Sequence, residues 1–406
     1  MGRSGRADCI RFISETTGHD NVGYSVIHRP LFLVLLLLVG GVFLVALSVR
    51  TSGETVDAFE QRIVLSSAEE QALPDPELTP AQQALEKELQ SLGEAFDGTV
   101  GIAVTDTADF ATMAYNGDAY LPQQSVSKLW VALAAMHAVD RGALDLAEPV
   151  AIGTSDLTVF HQPIRALTMA QGTYQTRYAD LLERSITQSD NTANDQLLQR
   201  VGGPTVVQDL LDRWAIDNVR FGTDERTKQS AIAGLEWQQS YALGRNFYDA
   251  RDAVPPARRK AAFEAYLADP MDGASAVGIS RALARMARGD LLSAASTQYI
   301  RALLQQTRSG PRRLKGGVPP GWTIGHKTGT GQMFDGIQSG YNDVGILTAP
   351  DGTEYAVAVL IGQTRASYAA RMSLMQDVVR RIVRHHEQRA VTDEGSSPES
   401  DEEPTS

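Results

Sequence analysis

Cysteine is nearly missing from this 406-residue chain: Cys9 is the only one, so no intramolecular disulfide can brace the fold. A basic excess is missing too. The 37 Lys and Arg residues face 49 Asp and Glu, a formal net charge of -12, which argues against nucleic acid as a natural partner. No G-x-S-x-G elbow, H-E-x-x-H pair or G-x-x-x-x-G-K-[ST] loop occurs, so a Ser-His-Asp triad, a zinc site and a nucleotide site lack support, and no cofactor or metal is expected. The seven histidines offer no evident catalytic base: His19 and His28 are near the N-terminus, and His385 and His386 end the last predicted helix. Long apolar runs are absent but for one. Leu31 to Val49 carries no charge across nineteen positions. At ~1.5 Å per helical residue that run matches a bilayer core of ~30 Å.

The apolar run organises the N-terminus. Arg3, Arg6, Arg11 and Arg29 precede it, which places residues 1–30 in the cytoplasm and makes residues 31–49 a transmembrane anchor. A cleaved signal is the alternative, with Ala46 and Ser48 as small residues before the cut. In either case the rest is exported, to the periplasm or beyond the cell. Residues 50–78 read as a polar linker, and residues 79–386 as the catalytic domain. Residues 387–406 read as a disordered acidic tail, with seven carboxylates against Arg389.

Within the domain, Thr79-Pro80-Ala81-Gln82 is a capping box that starts a helix running to about Phe96. Thr99–Thr105 and Ala111–Tyr115 predict a hairpin. Residues 125–140, 177–188, 191–200, 204–214, 279–288 and 294–307 predict helices. Three strands follow, over 323–330, 343–347 and 355–361, with Asp351-Gly352 as a turn, and a last helix spans 367–383. Strands at both ends with helices between imply an α+β fold with an antiparallel sheet.

Three short motifs carry chemistry. Ser125 opens a helix, where a serine is ordinarily a cap, but Lys128 lies three residues on, on the same face. A desolvated lysine has a lowered pKa, so its neutral amine can take the serine proton. Ser189-Asp190-Asn191 falls between helical segments, and Lys327-Thr328-Gly329-Thr330 ends an apolar β run. Taken together they make an acyl-transfer kit. Ser125 is the nucleophile, Lys128 its base and Ser189 a relay to the leaving nitrogen. Lys327 supplies positive charge, and Thr328 and Thr330 bind a substrate carboxylate. The backbone N–H groups of Ser125 and Thr330 are the oxyanion donors.

The order S-x-x-K, S-D-N, K-T-G resembles the class A β-lactamases and related penicillin-binding proteins. The likeness extends over about residues 80–385, through the Gly202-Gly203-Pro204 turn, the Ala287–Ser293 helix end and Pro319-Pro320-Gly321-Trp322. It implies a five-stranded antiparallel sheet packed with a helical subdomain, and Asn191 and Gly329 among the substrate-binding residues. In that family a glutamate in an E-x-x-L-N pattern removes the acyl group. Gap-free counting puts Glu225 there, but Gln229 stands where the asparagine belongs, and no arginine-aspartate brace for the loop is recognisable. Residues 226–275 are longer than the family's segment, a possible helical lid, and Glu236 or Glu264 is the alternative base if the loop is rebuilt.

The resemblance implies hydrolysis of β-lactams through an acyl-enzyme on Ser125, by a monomer acting on a small molecule. Two other readings stay open. One is a membrane-tethered D-alanyl-D-alanine carboxypeptidase or penicillin-binding protein, and the other a non-catalytic sensor of cell-wall peptides.

Overall fold

A computed structural model describes residues 76–395, with side chains through Arg389. The proposed anchor at 31–49, the segment before it, the linker through residue 75 and the tail from 396 lie outside the described residues. Among the described residues, no helix is long and apolar enough to cross a membrane.

Helix α1 (Pro80–Glu94) opens with the expected reciprocal cap, in which Gln82 N–H donates to Thr79 Oγ1 and the Gln82 side chain accepts from Thr79 N–H. Strands β1 (Thr99–Asp106) and β2 (Thr112–Tyr115) form the predicted hairpin. Helix α2 (Lys128–Asp140) is buried on every side from Lys128 to Met136, which explains why its sequence is apolar all round. Next come α3 (Asn191–Arg200), α4 (Glu225–Ile232), α5 (Pro256–Ala268), α6 (Ala276–Arg288) and α7 (Ala294–Gln305). Then follow β3 (Thr323–Thr330), the two-residue β4 (Met333–Phe334), β5 (Ile337–Thr348), β6 (Glu354–Thr364) and α8 (Tyr368–Gly395).

The five expected strands pair in the antiparallel order β2-β1-β6-β5-β3, and β4 adds a short sixth against β5. Side chains alternate across this sheet. Tyr355, Val357, Val359 and Ile361 of β6 join one core with Leu85 and Leu89 of α1 and Val378, Val379 and Ile382 of α8. Burying each of the larger aliphatic side chains there is worth about 1.5–3 kcal/mol. Ala356, Ala358 and Leu360 point the other way, into the larger core shared with α2, α6 and α7. Small residues on that face let α6 lie close against β1 and β6.

Two sequence readings need correction. Residues 387–395, assigned to a disordered tail, continue α8: Arg389 is held by Asp106 at 3.0 Å, and His386 packs edge-on against Trp322 and Tyr355. Residues 177–188 are not one α-helix. An α-turn at Tyr178–Glu183 widens into a π-helical turn at Arg184–Gln188. The long 226–275 segment is helical, as the reading of it as a helical lid expects, and holds α4, Asn246–Ala253 and α5, whose bounds periodicity in the sequence did not give.

Candidate active site

Each of the three motifs is set at the end of an element. Gln124 has a left-handed backbone (φ 54°), an uncommon conformation for a residue with a Cβ, and starts a single 3₁₀ turn (Gln124–Ser127) that leads into α2. The strain is held from several directions. Gln124 N–H donates to Asp272 Oδ2 at 2.8 Å, its Nε2 to Tyr266 Oη at 2.6 Å, and its Oε1 accepts from Gln229 at 3.1 Å. Ser189 is also left-handed (φ 59°), between the π turn and Asp190, which caps α3 by accepting from Ala193 N–H. Thr328 and Thr330 end β3.

These ends converge on one cleft of about 260 Å³, whose wall includes Ser125, Ser189, Asn191, Glu225, Thr328 and Thr330. The two lysines stand behind that wall, both fully buried. Lys128 Nζ donates to Ser125 Oγ at 2.9 Å and to Glu225 Oε1 at 2.6 Å. Lys327 Nζ donates to Ser189 Oγ at 2.9 Å and to the Thr328 carbonyl at 2.9 Å. Two hydrogen-bonded groups, Ser125–Lys128–Glu225 and Ser189–Lys327, thus face one space. Gly329 has a different position. An added Cβ would stand 2.3 Å from the Gln123 carbonyl, so this glycine lets β3 approach the turn that carries Ser125 closely. Glu236 and Glu264 are exposed, and Glu264 pairs with Lys260, which removes both as alternatives to Glu225.

The match to known proteins agrees with this geometry. The model of the β-lactamase enzyme family matches residues 84–386. This chain belongs to the β-lactamase enzyme family. Over 303 residues it is 29% identical to the extended-spectrum β-lactamase PER-1 of Pseudomonas aeruginosa, covering 74% of this chain and 87% of that one. The β-lactamase VEB-1 of the same organism is 25% identical over 293 residues, 72% of this chain and 87% of its own. The crystal structure of TLA-1 extended-spectrum β-lactamase superposes with a TM-score of 0.63 at 21% identity, over 75% of this chain and 99% of that one. At that identity the likeness is one of fold.

Burial and charge then set the protonation of this β-lactamase-family cleft. Desolvation lowers the pKa of Lys128, with repulsion from Lys228 adding to it against the pull of Glu225. Lys327 is driven well below the usual lysine range, first by burial and then by the Lys128 ammonium. Burial works to raise Glu225, but the Lys128 and Lys228 ammonium groups outweigh it and hold the carboxyl far below the usual range. Asp195, whose Oδ1 accepts from Glu225 N–H at 3.2 Å, is raised to about 7 by burial and by the nearby Asp224 and Glu225.

Several residues of the cleft were not singled out by the sequence. Arg313 is buried beside the end of β3: its Nη1 donates to the Gly329 and Asn342 carbonyls (2.9 and 2.6 Å) and its Nη2 to Thr330 Oγ1 (2.5 Å). It stacks on Tyr341 with its guanidinium carbon 3.8 Å from the ring centroid. Lys228 and Asp272 form a buried pair behind Glu225. An arginine-aspartate brace does occur across the base of the long segment, Arg220 to Asp269 at 2.9 Å, but both groups are largely exposed and such pairs contribute at most about 1 kcal/mol. Backbone bonds close the segment more firmly, with Arg220 N–H donating to the Gly273 carbonyl at 2.8 Å.

Proposed function

We propose that this β-lactamase-family enzyme hydrolyses the β-lactam amide through an ester on Ser125. The single observation that carries the reading is the contact pair at Lys128, whose amine meets Ser125 Oγ on one side and Glu225 on the other. Neutral Lys128 takes the Ser125 proton as Oγ attacks the ring carbonyl. The backbone N–H groups of Ser125 and Thr330 receive the developing oxyanion. The amide nitrogen leaves with the Ser189 proton, and Lys327, 2.9 Å from Ser189 Oγ, supports that transfer. Glu225 then takes a proton from the water that attacks the ester, Ser125 Oγ leaves with the proton held by Lys128, and Glu225 passes its own proton to Lys128 across the 2.6 Å bond. A carboxylate in the wall of the nucleophile's own cleft favours turnover over the long-lived acylation of a penicillin-binding protein, and a mere binder has no use for two buried lysines.

Thr328, Thr330 and Asn191 bind the substrate in this scheme, and Arg313 supplies the positive charge that a substrate carboxylate meets beside the two threonines. Arg313→Ala is expected to raise KM by about 10-fold, the size of one hydrogen bond to a charged group, with a smaller change in kcat. Steady-state kinetics on a penicillin would measure it; an unchanged KM would remove Arg313 from substrate binding. The uncharged run 31–49 and the arginines before it support membrane attachment with the catalytic domain that follows exported. The reading as a whole is tested by brief incubation with a penicillin, acid quench and peptide mass mapping. The acyl increment should fall on the peptide carrying Ser125, and a chromogenic cephalosporin should be turned over many times per enzyme. Folded protein that never acquires the increment would end the reading.

A further inference from the structure

Glu225 Oε1 lies against two ammonium groups, and the catalytic scheme employs only one of them. Lys128 is 2.6 Å away; Lys228, one turn further along α4, is 3.2 Å from the same oxygen. Lys228 is fully buried, and its Nζ also stands 3.2 Å from Asp272 Oδ2 and 3.4 Å from Ser127 Oγ. Asp272 is fixed in turn, accepting from Tyr266 Oη and from Gln124 N–H, both at 2.8 Å. A buried ammonium with this many partners is immobile, and its charge is not free to leave. Burial works to lower the Lys228 pKa, but Glu225 and Asp272 prevail and keep it raised.

The consequence appears when Lys128 becomes neutral. To take the Ser125 proton Lys128 must shed its charge, and Lys228 is then the one ammonium left against the buried Glu225 carboxylate. We propose that Lys228 is a positioning residue of the hydrolytic cycle, a fixed ammonium that holds the Glu225 carboxylate in place and compensated while Lys128 acts as base. This rests on the roles given above to Ser125, Lys128 and Glu225. The groups that set the balance are Lys128 on α2, Asp195 on α3, Glu225 on α4 with Lys228 itself, Tyr266 on α5, Asp272 in the loop that follows α5, and Lys327 on β3. Removing the Lys228 charge raises both neighbours: Lys128 loses a repelling ammonium, and Glu225 loses an attracting one. Acylation needs the neutral amine and deacylation the ionised carboxylate, so both acidic limbs move to higher pH.

The test is stopped-flow acylation and deacylation of a chromogenic cephalosporin across pH, on the whole protein and on Lys228→Met, Lys228→Met/Asp272→Asn and Glu225→Gln. The double variant removes the buried pair together, so that no lone carboxylate at Asp272 confuses folding or charge. The expected result is that both acidic limbs of the folded lysine variants rise by about one pH unit, a loss of about 10-fold at pH values below them. A purely structural pair would lower thermal stability and leave both limbs in place. Limbs unmoved in a folded variant, or failure of both variants to fold, overturns the proposal. Glu225→Gln separates the two failures. Deacylation undiminished there sinks the role of Glu225 itself, whereas slowed deacylation with unmoved Lys228 limbs sinks only the role of Lys228.

Discussion

Glu225→Gln is expected to acylate normally and to release its acyl group about 10²–10⁴-fold more slowly, the contribution typical of a positioned general base. Glutamine has the same shape as glutamate, and its carbonyl oxygen can still accept from Lys128 and Lys228 across the present 2.6 and 3.2 Å. The geometry around Ser125 therefore survives, and the charge is what disappears. Its loss also bears on acylation. Glu225 is the leading influence that raises Lys128 against the burial that lowers it, so without that carboxylate the neutral amine is populated at lower pH. Acylation should accordingly extend toward acid in the variant while deacylation stalls. A penicillin would then titrate the enzyme one to one and remain attached for many minutes, as followed by intact mass. Release at the rate of the unaltered enzyme would remove Glu225 from the mechanism and leave Ser125 untouched.

The sequence disclosed the three motifs because each couples a local rule to an unusual side chain. Thr79 to Gln82 reads as a helix cap from four letters, and it is one. Ser125 and Lys128 read as neighbours because three residues on a helix share a face, and the amine does reach the hydroxyl. The bond between Lys327 and Ser189 joins residues 138 positions apart, which no local rule pairs; their complementary chemistry and the likeness to a known family placed them together. Lys228 and Asp272 were illegible for a further reason. Both are charged residues in a long polar segment with no hydrophobic period, where a solvated surface is the ordinary reading, and their burial follows from α4 and α5 folding back under Gln124. Arg313 was hidden likewise, since an arginine in a loop before a strand gives no sign that it will be buried against Tyr341. The end of α8 was misjudged from composition. Its acidic residues suggested disorder, whereas Arg389 and His386 bind it to the sheet.

Lys128→Met is expected to reduce the acylation rate about 10²–10⁴-fold, again the worth of a general base, and raising the pH should not restore it. Methionine fills most of the same buried volume and cannot accept a proton from the hydroxyl 2.9 Å away. Stability distinguishes this change from the breaking of an ordinary buried ion pair. Stranding a buried charge costs about 3–5 kcal/mol, but Glu225 keeps Lys228 at 3.2 Å and Gln229 at 3.2 Å, so the loss of folding free energy should be well below that range. Lys128→Arg sharpens the point, because guanidinium preserves the charge yet remains protonated throughout the accessible pH range. If Lys128 acts only through its field, arginine should retain much of the activity; as a base it cannot be replaced, and both variants should be slow. Stopped-flow acylation beside thermal melting measures the two effects separately. A Lys128→Met enzyme that folds and acylates at the original rate would show that the Ser125 proton leaves by another path, with Glu225, across the same cleft, as the next group to examine.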